Sequence, residues 1–114
     1  MPEWSDQIEV VDLSDEPDLS EDLLNTYSKL AEIEDGARPN LVLDLSGVTY
    51  LNSSNIAQML RLRKLMIESD RRLKICSVVE AVWAIMLLTG LDKVFDFAPD
   101  KATAIAGLQI DQNQ

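Results

Sequence analysis

Leu41-Val42-Leu43-Asp44-Leu45 is a nearly unbroken apolar run, bounded by Arg38-Pro39-Asn40 before it and Ser46-Gly47 after it. A run of this length between turn residues predicts a strand covered on both faces, and therefore an interior strand of a sheet. On its N-terminal side, Ile8 to Leu13 alternates enough to be a half-buried strand, and Ser14-Asp15-Glu16-Pro17 breaks it. A helix follows, capped by Asp18 with Glu21 three residues on or by Ser20 itself. Its apolar positions are Leu23, Leu24, Tyr27, Leu30, Ala31 and Ile33. On the C-terminal side, Asn52-Ser53-Ser54-Asn55 opens a helical pattern from about Ser54 to Ser69, which Asp70-Arg71-Arg72 ends. Leu73 to Val78 reads as a strand, with Cys76 as a packed small hydrophobe. A short apolar helix from Glu80 to Thr89 stops at Gly90, a strand covers Val94 to Phe97, and Pro99-Asp100 starts a last helix to about Leu108.

Strand and helix alternate four times. That order predicts an α/β fold: a mixed, mainly parallel sheet of about four strands, with Leu41–Leu45 central and about four helices mainly on one side. With 114 residues, one domain is expected across 1–114, with probable tails at 1–6 and 111–114.

Composition narrows the function. The chain has no histidine and one cysteine, which removes the usual general base, the Cys-His and Ser-His pairs and any multi-cysteine metal site. Neither a catalytic activity nor a metal or cofactor is expected. Ten Lys and Arg against twenty Asp and Glu give a net charge of −10, which disfavours nucleic acid. Residues 1–37 hold twelve acids and one base, whereas 38–79 hold three acids and seven bases. The start Met1-Pro2-Glu3-Trp4 has no basic, apolar leader, and no stretch approaches a membrane span, so a cytoplasmic protein is the expectation. Trp4 would be an anchor for a partner or a self-contact. Asp44 and Asp96 read as strand carboxylates without a partnering base, and Trp83 as core.

The run Leu41 to Leu51, followed by Asn52-Ser53-Ser54-Asn55-Ile56, resembles the strand and loop of the STAS domain (sulphate transporter and anti-sigma factor antagonist). So do Leu88-Thr89-Gly90-Leu91-Asp92-Lys93-Val94-Phe95, at that family's late turn, and Ala102-Thr103-Ala104-Ile105, in its closing helix. The resemblance runs from Leu41 to about Leu108. Before Gly36 the family usually has two strands, and one is evident here.

The resemblance implies a STAS-like fold and a regulatory role in protein–protein binding, as in bacterial anti-sigma factor antagonists. There the partner is an anti-sigma factor that is also a serine kinase, and phosphorylation of one serine switches binding off. The matching residue is Ser53, within a binding loop of Asn52, Ser54 and Asn55. Asn52 and Asn55 stand where the family usually has Asp and Gly. The alternative is an adaptor that is never phosphorylated, a subunit of a signalling scaffold or transport complex.

A serine at a helix N-terminus is placed for such a switch, since free N–H groups and the macrodipole there favour an added phosphate. Asn-Ser-Ser-Asn is equally the composition of an ordinary capped helix start. On the helix that follows, Ile56, Leu60 and Ile67 are expected in the core. Met59, Leu62 and Met66, with Arg63 beside them, are expected to form an adaptable face toward the partner. Arg61, Arg63 and Lys64 could pair with acids on that partner. Arg71 and Arg72 are expected to offset the acidic first third of the chain.

Overall fold

A computed structural model describes residues 7–112. Four strands, β1 (Ile8–Ser14), β2 (Asn40–Gly47), β3 (Leu73–Cys76) and β4 (Asp96–Ala98), alternate with α1 (Asp18–Glu32), α2 (Ser53–Glu68), α3 (Glu80–Thr89) and α4 (Lys101–Gln112). Their order across the sheet is β1-β2-β3-β4, and all three pairings are parallel, where a mixed sheet was expected. The run Leu41–Leu45 is interior, between β1 and β3. Asp111 and Gln112 continue α4 rather than forming a tail. Residues 1–6, Trp4 among them, and 113–114 lie outside the described residues.

Parallel neighbours need a crossover, and stepping through the sheet in one direction puts successive crossovers on one face. Leu41, Leu43, Leu45 and Ile75 therefore pack with Leu19, Leu23 and Leu30 of α1, Met59, Leu62 and Met66 of α2, and Val82 and Met86 of α3. The intervening positions point the other way. Val42 and Cys76 meet Ala104 and Leu108 of α4, the only helix in that second cluster among the described residues. Cys76 is fully buried, and burial pushes its thiol pKa up.

Several local expectations change. Neither Ser20 nor the Asp18–Glu21 pair caps α1. Pro17 takes the N-cap position without a side-chain bond, and Glu16 accepts from the Ser20 N–H at 2.9 Å instead. β3 stops at Cys76 because Ser77 adopts a left-handed φ of 61°. Gly90 ends α3 at φ 78°, a conformation that costs glycine least. Asp100 caps α4, its Oδ1 accepting from the Thr103 N–H at 2.7 Å.

Asp44 and Asp96 do have bases: Lys101 Nζ lies 3.9 Å from Asp44 and 2.7 Å from Asp12, and Arg72 is 3.3 Å from Asp96. Burial raises the pKa of Asp44, but hydrogen bonding to Ser46 and the charge of Lys101 outweigh it and leave the group below its ordinary value. Trp83 is not core. It is 36% exposed and stands edge-on to Phe97, ring centroids 5.1 Å apart.

The largest correction concerns α2. Met59, Leu62 and Met66 are buried to 1% exposure or less, whereas Leu60 is 39% and Ile67 56% exposed. The helix turns the row Asn55, Met59, Leu62, Met66 to the sheet. Three of the residues expected to face a partner are therefore core. Arg63 is half-buried, and its Nε donates to the Val94 carbonyl at 3.1 Å.

Candidate functional site

The β1–α1 and β2–α2 connections lie side by side at the carboxyl ends of the two strands, the edge at which parallel sheets usually present their functional loops. What fixes them together is a polar network. Asp15 Oδ1 accepts from the Thr49 N–H at 2.8 Å and its Oδ2 from the Thr49 hydroxyl at 2.7 Å. These bonds lower the Asp15 pKa. Asn52 and Asn55 form a reciprocal capping box: Asn52 Oδ1 accepts from the Asn55 N–H at 2.8 Å, and Asn55 Oδ1 from the Asn52 N–H at 3.0 Å.

Asn55 is fully buried, and its amide nitrogen donates to Glu16 Oε2 at 2.9 Å and to the Ser20 hydroxyl at 3.2 Å. The Ser20 hydroxyl also donates to Glu16 in a short hydrogen bond, and Gln58 Nε2 reaches the Ser20 carbonyl at 3.1 Å. Asn55 thus does structural work: it caps α2 and ties α2 to the turn before α1. A glycine in its place could make none of these side-chain bonds.

Ser53 and Ser54 are both exposed in the first turn of α2, and neither hydroxyl makes a hydrogen bond among the described residues. Ser54 is therefore not a cap; Asn52 is. Beside them Tyr50 is 64% exposed. In the sequence, Tyr50 is legible only as part of a motif and Asp15-Glu16 only as a chain breaker. The available signal was a pair of acids directly before a proline and a helix, a place where carboxylates receive backbone N–H groups. Around the serines the surface presents Tyr50, two hydroxyls unbonded among the described residues, and the first turn of a helix whose Asn55 side chain binds the Glu16 carboxylate. Such an arrangement offers docking contacts and an exposed hydroxyl oxygen. Among the described residues no helix is long and apolar enough to cross a membrane.

Hydrogen bonds from the Ser20 hydroxyl first, and then from Asn55, hold the Glu16 pKa down from an ordinary 4.5 to about 2. A carboxylate depressed in the folded state adds stability above its unfolded pKa and loses it as pH falls through the folded value. Glu16→Gln should therefore lower stability at neutral pH and flatten the acid limb between pH 4.5 and about 2. Urea midpoints of both proteins across that window check it. Parallel acid limbs would show that Glu16 is not held this way.

The STAS domain model matches residues 10–104 of the chain. An anti-sigma-factor antagonist (STAS) domain protein from Planctomyces limnophilus superposes with a TM-score of 0.76 at 19% identity, covering 91% of this chain and 92% of that one. A protein assigned as an anti-sigma factor antagonist from Thermotoga maritima gives 0.75 at 15% identity, covering 90% and 87%. A sulfate transporter family protein from Wolinella succinogenes gives 0.78 at 11% identity, covering 94% and 88%. At these identities the likeness is one of fold.

Proposed function

Because this chain belongs to the STAS domain family, we propose that it is a regulatory binding domain of the anti-sigma factor antagonist kind. Its β2–α2 loop docks on an anti-sigma factor with serine kinase activity, and phosphorylation of Ser53 releases it. The observation that carries this reading is the division of labour at the start of α2. Asn52 and Asn55 do the capping, which leaves the Ser53 hydroxyl exposed and uncommitted on the surface a partner would cover. A phosphate there would add roughly −1.5 to −2 charges. It would arrive two residues before Asn55, whose side chain holds the Glu16 carboxylate, so like-charge repulsion would add to the change of surface.

The same carboxylate favours a second reading, in which the loop is a docking face and is never phosphorylated. Glu16 is held next to this helix start by the Asn55 side chain, and its negative charge opposes a phosphate there.

Ser53→Ala is expected to keep partner binding and abolish phosphate incorporation, and Ser53→Asp to weaken binding. Each variant should stay within about 0.5 kcal/mol of parental stability, since an exposed, unbonded side chain is changed. The partner is captured from the native host and incubated with the chain and ATP, and the modified site is mapped by mass spectrometry. Phosphate on Ser54 or Thr49 would refute the assignment of Ser53. No incorporation, together with undiminished binding by Ser53→Asp, would establish the docking-only reading.

A further inference from the structure

β1 lies at one edge of the sheet, with β2 as its only strand neighbour among the described residues. Ile8 stands opposite Asn40, whose N–H donates to the Gln7 carbonyl at 3.2 Å, so the backbone groups of Gln7, Glu9 and Val11 face β2. Those of Ile8, Val10 and Asp12 point away from the sheet, and none of them makes a backbone bond among the described residues. An edge of this kind invites a further strand unless proline, a bulge or unpaired charge guards it. Residues 8–12 contain no proline, and the register shift falls beyond them, between Asp12 and Ser14. Both carboxylates on this stretch are paired within the chain, Glu9 with Lys29 at 3.1 Å and Asp12 with Lys101 at 2.7 Å.

The helix beside the edge indicates which strand it takes. An open groove separates β1 from α1 and is lined on the helix side by Asp22, Asn25 and Lys29. Lys29 lies by Glu9, near the start of β1. Asp22, earlier in a helix that runs back against the strand, lies toward the strand's end, with Asn25 between them. A cation and an anion thus flank Asn25 on opposite sides, which is self-complementary under a two-fold axis. Asp22 itself has no ion pair among the described residues.

We infer that this edge joins two copies of the chain through antiparallel pairing of β1 with β1, Val10 against Val10. In that register Ile8 of each copy faces Asp12 of the other, and every outward N–H and C=O from Ile8 to Asp12 gains a partner. Lys29 of each copy comes beside Asp22 of the other, and Asn25 meets Asn25 at the axis. The half-buried Val10 side chains, on the α4 face, cover one another across the seam. The inference does not depend on the role given to Ser53.

The net charge of −10 on each copy repels at long range, so the test is made at physiological salt, where that repulsion is screened. Sedimentation equilibrium of the full chain, from micromolar to near-millimolar concentration, is expected to show a reversible monomer–dimer equilibrium. Asn25→Lys sets like charges against each other at the axis and should weaken association roughly tenfold or more, as should Asn25→Asp. An equal mixture of the two variants should restore it, because only the mixed pair brings opposite charges together. Asn25 is exposed and makes no side-chain hydrogen bond among the described residues, so both variants should keep the parental fold by circular dichroism. Hydrogen exchange locates the seam: the amides of Ile8, Val10 and Asp12 should be protected in the dimer and exchange rapidly in dilute monomer. A monomer at every concentration, a dimer that both Asn25 variants leave intact, or a mixture no tighter than its components would overturn the inference. So would protection of those amides in dilute monomer, which would mean that another segment of the same chain covers the edge.

Discussion

Replacing Asn55 by leucine is expected to destabilise the fold by about 2–4 kcal/mol, adding a lost cap to buried polar groups left without partners. Asn55 is fully buried and bonds the Asn52 N–H, Glu16 and Ser20 through its side chain. Leucine fills comparable space but strands the Asn52 N–H, removes a donor from Glu16 and puts an apolar group against a carboxylate. The Glu16 pKa should rise in response, so the variant's acid limb moves to higher pH in the same urea titrations. Ser54→Ala, one residue away and exposed, is the control, with a change of about 0.5 kcal/mol or less. A loss as small as the control's for Asn55→Leu would mean that the network does not hold the two loops together.

Leu62→Ala should cost about 2–5 kcal/mol, the range for truncating a fully buried leucine in a packed interior. Ile67→Ala, on the same helix, should cost far less, because that side chain is 56% exposed and leaves little cavity when shortened. Denaturant melts of the two variants report directly which row of α2 faces the sheet. Equal losses, or a larger one for Ile67→Ala, would reverse the orientation described here.

That orientation marks a limit of pattern reading. Two neighbouring rows of α2 are apolar, Ile56-Leu60-Ile67 and Met59-Leu62-Met66, and a helical period alone does not rank them. Of the row expected in the core, Leu60 and Ile67 are exposed, while Ile56 does pack against the core cluster. The buried row begins with a polar residue, Asn55, whose place inside makes sense only once Glu16 and Ser20 are seen beside it. Asp44 follows the same logic. Its base, Lys101, is 57 positions further along the chain and meets it only because α4 folds back on the second face of the sheet.

What the sequence determined by itself was carried by neighbours along the chain. The unbroken run Leu41–Leu45 marked an interior strand, the alternation of strand and helix marked the α/β class, and Gly90 marked a helix stop. These are local effects of sterics, capping and hydrophobic period. The tertiary structure decided whatever needed two distant segments at once: parallel pairing throughout the sheet, the face α2 presents, and the stitching of Asp15 and Glu16 to Thr49 and Asn55. Hydrogen bonds and ion pairs between remote residues depend on crossover geometry and register, and periodicity along a single segment has no means of encoding them.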